Sequence, residues 1–288
     1  MVRGHPDRKG LIMPTFADLS PYTFGAMSLG ADGDRIEQDI ALVRRVMEAG
    51  LSIHCSPTYN RGISFMALRC AFDEAPSRRP PLIIKIRDAS IRWLRFEVED
   101  CRRRLGIDTI DIAQLVAMDR SPGNLIDQLQ AGSGPIHDAL AELRQQGMIN
   151  RVALFCNRAN AAAAARAVSA SPLADGLICY WNVRQRELCP EALALIAEQD
   201  IPVLALRTLA GAKEPSDDDP LPSIIRNAGC QDQVDLALRL AASWPALVTT
   251  IGGTANHDHC ERFIAAAQDP APLPQAIMAR IDALRDGS

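Results

Sequence analysis

The chain has 288 residues, 48% of them hydrophobic, 23% charged and 5% aromatic, with a formal net charge of -4. This is ordinary globular usage in a chain long enough to bury a core unaided, which excludes disordered, collagen-like and coiled-coil readings. Arg and Asp/Glu are interspersed, so no basic field exists to hold a phosphate backbone, and nucleic acid is not an expected partner.

Short β-branched runs alternate with amphipathic ones along the chain. A polar arm over residues 1–20, with a small hairpin ahead of the first strand, opens it. The first strand is expected over 22–28 and the first helix over 34–49, where Ile36, Ile40, Val43 and Val46 fall at helical spacing and Gly50 is placed to end the helix. Strand and helix then pair at 51–54 and 62–72, 81–86 and 91–104, 109–116 and 136–146, and 151–155 and 160–168. Further pairs follow at 176–181 and 190–198, 203–206 and 231–242, and 247–251 and 257–267, with an extra helix over 274–285. The alanine run 161–165 reads as a solvent-side helix, because alanine is the best helix former. Eight βα units in 288 residues predict an α/β fold, a (β/α)8 TIM barrel in one domain over 1–288, rather than an open doubly wound sheet.

Such barrels carry their chemistry where strands end and βα loops begin. The positions that qualify are 54–59, Lys85, 116–119, Cys156 and Asn157, Trp181 and Asn182, Arg207 and Thr208, and 252–256. A polar insertion at 212–222 reads either as a lid over the mouth or as a solvated acidic loop. No apolar run approaches the roughly 18 residues of a membrane-spanning helix, and the start lacks a targeting pattern, so the expected location is cytoplasmic. The eight cysteines include no C-x-x-C pair, which argues against a zinc ribbon or a disulfide scaffold. His257, His259 and Cys260 lie close together, but residues at i and i+2 of a helix face different ways, so no metal site is expected. His54 and Cys55 are strand neighbours that point to opposite sides, which argues against a thiol with its base. His137 reads as a capping or surface histidine.

These segments resemble the aldo-keto reductase family over nearly the whole chain. FGAMSLG at 24–30 is similar to that family's first strand, and AGLSIHCSPTYNRG at 49–62 to its segment ending F-D-T-A-x-x-Y-G. LGIDTIDIAQLV at 105–116 resembles L-G-x-D-Y-I-D-L-Y-L-I-H, and LAELRQQGMINRVALFCN at 140–157 resembles L-x-x-L-x-x-x-G-K-I-R-x-I-G-V-S-N. IPVLALRTLAG at 201–211 is like I-x-V-x-A-Y-S-P-L-A-G, and IGG at 251–253 is like I-P-G.

The resemblance implies hydride transfer from a nicotinamide cofactor, usually NADPH, to an aldehyde or ketone, with a tyrosine giving the carbonyl oxygen its proton. A nearby ammonium is expected to draw the phenol's pKa toward neutrality, a carboxylate to hold the ammonium, and a histidine to orient the carbonyl. Tyr59 matches the tyrosine and Lys85 the lysine. The aspartate falls on His54 and the histidine on Val116, so two of the four positions are changed. For the site to work, His54 is expected to stay neutral and accept a hydrogen bond from the Lys85 ammonium. The residues that hold the nicotinamide carboxamide fall on Cys156, Asn157 and Ile178, and the stacking aromatic falls on Leu206. Gly253, Thr254 and Asn256 match the phosphate-holding end of the last barrel helix, with Arg207 able to reach a pyrophosphate and His259 near the place of the residues that hold a 2'-phosphate. Arg262 and Phe263 stand where the family has a Glu-Asn pair.

The reading that follows is an NADP(H)-dependent oxidoreductase acting on an aldehyde, ketone or alcohol, with Tyr59, Lys85 and His54 as its catalytic set and no metal. A second reading, carried by the changed positions, is a pseudoenzyme whose barrel serves as a regulatory or protein-interaction scaffold. A third is a non-redox enzyme that uses Lys85 as a Schiff-base amine or His54 as a general base.

Overall fold

The computed structural model describes residues 15–87, 89–116, 124–208, 220–268 and 271–286. Its strands are β1 (Tyr22–Gly25), β2 (Ile53–Cys55), β3 (Leu82–Ile86), β4 (Ile110–Val116), β5 (Ile149–Cys156), β6 (Gly176–Tyr180), β7 (Val203–Leu206) and β8 (Leu247–Gly252). Each pairs in parallel with the next and β8 pairs with β1, closing a single-domain (β/α)8 barrel. Around it run α1 (Ile36–Glu48), α2 (Ile63–Glu74), α3 (Leu94–Leu105), α4 (Leu125–Ala131), α5 (Pro135–Gln145), α6 (Ala161–Ala170), α7 (Pro190–Glu198), α8 (Leu221–Asn227), α9 (Gln233–Ala242), α10 (His257–Gln268) and α11 (Gln275–Asp286).

The local signals explain most of these boundaries. Gly50 follows α1 at φ +69, the left-handed conformation in which a helix stops without a Cβ penalty. Pro190 opens α7 at the first helical position, where its missing N–H costs nothing. Two helices are additional to the sequence reading. Each has seven residues, too few for a clear apolar period, and α4 is set instead by Asn124, whose side chain accepts from the Asp127 N–H.

Three expectations are corrected. The first strand ends at Gly25, after which Ala26–Ser28 form a 3-10 turn rather than more strand. Residues 15–20 show no hairpin but a 3-10 turn at Phe16–Asp18 with Thr15 and Asp18 bonded reciprocally; the rest of the expected arm, residues 1–14, lies outside the described residues. The alanine helix does not face solvent. Ala161, Ala164, Ala165 and Ala167 are fully buried, because α6 packs closely against α4 and α7 and only small side chains fit there. Of the expected lid, residues 212–219 lie outside the described residues, and α8 begins at Leu221.

The core has two layers. Outward side chains of the strands meet the helices, whereas inward ones such as Ile83, Ile112, Ala153, Ile178 and Leu204 fill the barrel. Phe16 and Leu19 join that inner cluster, and the hydroxyl of Ser20 bonds the backbone of Ser52 at 2.8 Å. The N-terminal end of the barrel is thereby closed, and the opposite end is open.

Candidate active site

Strand alternation decides which side chains reach the open end. On β2, β3 and β4 it turns His54, Lys85 and Gln114 inward, and on β5 to β8 it turns Phe155, Tyr180, Leu206 and Ile251 inward. All seven line one cleft of about 390 Å3, together with Tyr59, Val116, Arg207 and the backbone of Gly25, Gly252 and Gly253. Three sequence candidates for catalysis, His54, Tyr59 and Lys85, therefore converge. Cys55 faces the opposite way into the helix layer, as the strand period requires.

His54 is buried at 3% exposure, and its Nε2 lies 2.7 Å from Gln114 Oε1. The amide oxygen can only accept, so Nε2 carries the proton and donates. Burial drives the imidazole down to about 4, against the pull of the Gln114 bond and with help from the Lys85 charge. The ring is neutral, as the sequence suggested, but its partner is Gln114; it makes no hydrogen bond to the Lys85 ammonium among the described residues. Lys85 is half-buried and forms no ion pair among them. Sequence reasoning overlooked Gln114. Its signal was present: in Ile112, Gln114 and Val116, one polar side chain interrupts the inward face of an apolar strand.

Tyr59 sits after β2 on a tight segment in which Asn60 and Arg61 have φ of +47 and +58 and Gly62 has φ of +90. Asn60 holds that segment in place by donating from Nδ2 to the carbonyls of Met27 and Leu29, each at 2.7 Å. The Tyr59 and His54 ring centroids are 6.2 Å apart. Burial pushes the phenol up to about 12. The expected shift toward neutrality is thus reversed, since desolvation penalises a phenolate.

The residues matched to cofactor binding are dispersed. Cys156 is fully buried in the helix layer, opposite Cys179 on β6, and does not line the cleft. Asn157 lines an adjoining recess that shares Phe155 and Tyr180 with the cleft, and its Oδ1 accepts from the Ala159 N–H at 3.0 Å. Ile178 lies deeper, in the barrel filling. Tyr180, missed in the sequence, supplies an aromatic beside Leu206, with the exposed Arg207 guanidinium 4.2 Å from its ring centroid. Phe263 is buried against Tyr22 at 5.0 Å, and Arg262 pairs with Asp232, so neither faces the cleft.

At the end of β8, a Cβ on Gly253 would lie 2.0 Å from the Gly25 carbonyl oxygen, so β1 and β8 meet backbone to backbone at the rim. Asn256 caps α10 by accepting from the His259 N–H at 3.1 Å, and Thr254 Oγ1 accepts from the Asn256 N–H at 3.0 Å. The N–H groups of His257 and Asp258 have no partner among the described residues. The Arg207 guanidinium at the cleft and the unsatisfied amides at the start of α10 are each donors of the kind that holds the phosphates of a dinucleotide, although the Asp258 carboxylate in the first turn of α10 opposes the amides. The ring of His257 meets the Gln38 carbonyl at 3.1 Å and Cys260 is buried; no metal-ligating cluster is found among the described residues. His137 lies beside Asp138 with its Nδ1 3.1 Å away, as a surface pair. No helix among the described residues is long and apolar enough to cross a membrane.

Comparison with known proteins places these features. The aldo/keto reductase family pattern matches residues 22–286. An aldo-keto reductase from Klebsiella pneumoniae in complex with NADPH superposes with a TM-score of 0.74 at 20% identity, over 92% of this chain and 91% of that one. The holo form of aldo-keto reductase AKR11C1 from Bacillus halodurans gives a TM-score of 0.74 at 20% identity, over 94% and 93% of the two chains. A thermostable aldo-keto reductase, Tm1743, bound to the inhibitor epalrestat gives 0.75 at 18% identity, over 99% and 100%. No curated protein matches by sequence.

Proposed function

We propose, from the premise that the chain belongs to the aldo/keto reductase family, that it is an NADP(H)-dependent oxidoreductase working in the direction of carbonyl reduction. The observation that carries this is the convergence of Tyr59, Lys85 and His54 in one cleft at the open end of the barrel. A bound NADPH would supply a hydride to the carbonyl carbon. Arg207 and the α10 amides would hold its phosphates, and Tyr180 with Leu206 would wall the nicotinamide. That the solved neighbours carry NADPH or NADP supports the choice of cofactor.

The protein's own work is on the carbonyl oxygen. As charge develops there, Tyr59 O–H donates the proton. A phenol held at about 12 is still a far stronger acid than the alcohol being formed, so the transfer runs downhill. The reverse direction needs a phenolate to accept the alcohol's proton, and burial keeps that phenolate scarce at neutral pH. Lys85, which forms no ion pair among the described residues, places its ammonium charge beside the developing oxyanion. Val116, Phe155, Leu206 and Ile251 make the surroundings apolar, which excludes water and suits a substrate with an apolar body.

Two measurements test this. Calorimetric titration with NADPH is expected to show binding, and an aldehyde panel to show NADPH-dependent turnover that Tyr59→Phe lowers by at least about a hundredfold. Absence of NADPH binding at millimolar concentration would overturn the reading in favour of a scaffold, and full activity of the Tyr59→Phe variant would remove the tyrosine from its role.

A further inference from the structure

The resemblance drawn on the sequence implies a histidine that orients the carbonyl at position 116, and here that position is valine. An apolar side chain cannot hydrogen-bond a carbonyl oxygen, so either the reaction proceeds without that bond or another group supplies it. Gln114 is two residues earlier on the same inward face of β4, next to Lys85 in the strand register. It is a polar group of the cleft that has so far no assigned task.

Its surroundings fix how it is oriented. The Oε1 end accepts from His54 Nε2 at 2.7 Å, so the amide plane is pinned and the NH2 end points away from His54. That nitrogen has no hydrogen-bond partner among the described residues, and Gln114, at only 1% exposure, is a lining residue of the cleft. A buried amide oriented by a neutral imidazole, with its donor end directed at the reacting space, is arranged as an oxyanion-type hydrogen-bond donor is arranged. Were His54 an aspartate, as in the family pattern, the carboxylate would accept from the amide nitrogen and turn the oxygen toward the cleft. The two departures from the family pattern are therefore coupled: losing the donor at 116 is matched by a glutamine at 114, and losing the carboxylate at 54 by an imidazole that orients the glutamine.

We propose that Gln114 donates the hydrogen bond that polarises the substrate's carbonyl oxygen, and that His54 is the positioning residue that directs the amide nitrogen toward it. This rests on the carbonyl-reductase reading above. Gln114 takes no part in the electron or proton balance: its N–H bond stays intact, the hydride goes to carbon and the proton comes from Tyr59. Because Gln114 lies one inward position deeper than Val116, about 7 Å along the strand, the carbonyl must reach further into the barrel. That selects a terminal aldehyde over a ketone flanked by bulky groups.

The test uses Gln114→Met, which keeps the length of the side chain and removes the donor, with Gln114→Leu as a second variant that matches the apolar inward residue Ile112 of the same strand. A chromophoric aldehyde, 4-dimethylaminocinnamaldehyde, bound without reductant reports carbonyl polarisation as a red shift in absorption, independently of turnover. The shift is expected in the parent protein and lost in both variants. NADPH affinity is expected to be unchanged, kcat to fall about a hundredfold, and Val116→His added to Gln114→Met to restore both shift and rate. A red shift and kcat retained in either folded variant overturn the proposal while leaving the reductase reading intact. No turnover in the parent protein, with a red shift that still depends on Gln114, overturns the reductase reading and leaves the donor in place.

Discussion

The rim of the barrel has two unlike arcs. On β2 to β4 the inward positions carry His54, Lys85 and Gln114, and on β5 to β8 they carry Phe155, Tyr180, Leu206 and Ile251. Both arcs are parallel strands of one closed sheet, so the chemical difference lies in how each meets the cost of burial. The apolar arc has no polar group to satisfy apart from the Tyr180 hydroxyl. The polar arc buries an imidazole and an amide that share one hydrogen bond, and its Lys85 forms no ion pair among the described residues. The comparison teaches that the apolar arc acts chemically without reacting. By excluding water it holds His54 neutral and Tyr59 protonated, and it strengthens the field of Lys85.

The arcs join at the β1–β8 seam, which offers the harshest way to break the comparison. Gly253→Ala would force a Cβ against the Gly25 carbonyl, a backbone atom that cannot move aside without opening the barrel. A loss of about 3 kcal/mol or more is expected in urea unfolding, and a loss below about 0.5 kcal/mol would show that the seam yields.

A smaller effect is expected from the polar arc. His54 has a folded value of about 4 against an ordinary 6.5, so between these limits the unfolded chain binds more protons and stability falls as pH drops. By pH 4.5 the loss from this residue should reach about 2 to 3 kcal/mol. His54→Leu, which cannot titrate, should show a correspondingly flatter dependence between pH 7 and 4.5, and parallel curves for the two proteins would count against a buried neutral imidazole. The smallest effect concerns the rim of the apolar arc. Arg207→Ala should weaken NADPH binding about fivefold at low salt and less at high salt, because an exposed guanidinium is screened. A change independent of salt would mean that Arg207 acts by packing on Tyr180.

The barrel was legible because strand and helix periods differ, and because each unit is ended by a local signal such as Gly50 or Pro190. The short helices α4 and α8 were not, since seven residues carry too little period, and α6 was misjudged because alanine's helix propensity says nothing about which neighbours approach it. The gathering of His54, Tyr59 and Lys85 at one rim was legible from their places on β2, after β2 and on β3. The His54–Gln114 bond was not, because it spans 60 positions of sequence and passes over β3, so it depends on the stagger of a closed sheet. Cys156 shows the opposite failure: a position matched along the chain turned out to lie on the face directed at the helices, where one residue of parity decides everything.

The segment that carries Tyr59 has a consequence for how the site comes together during folding. Asn60 and Arg61 occupy a left-handed backbone that costs on the order of 1 kcal/mol or more for each residue, and a chain adopts it only when its surroundings demand it. That demand comes from Met27 and Leu29, in the loop of the preceding βα unit. A chain that has formed β2 and α2 but has not yet docked them on the first unit has every reason to relax this turn and release the phenol. The placing of Tyr59 is thus a property of two neighbouring units in assembly, and their docking is what brings the proposed donor into the cleft.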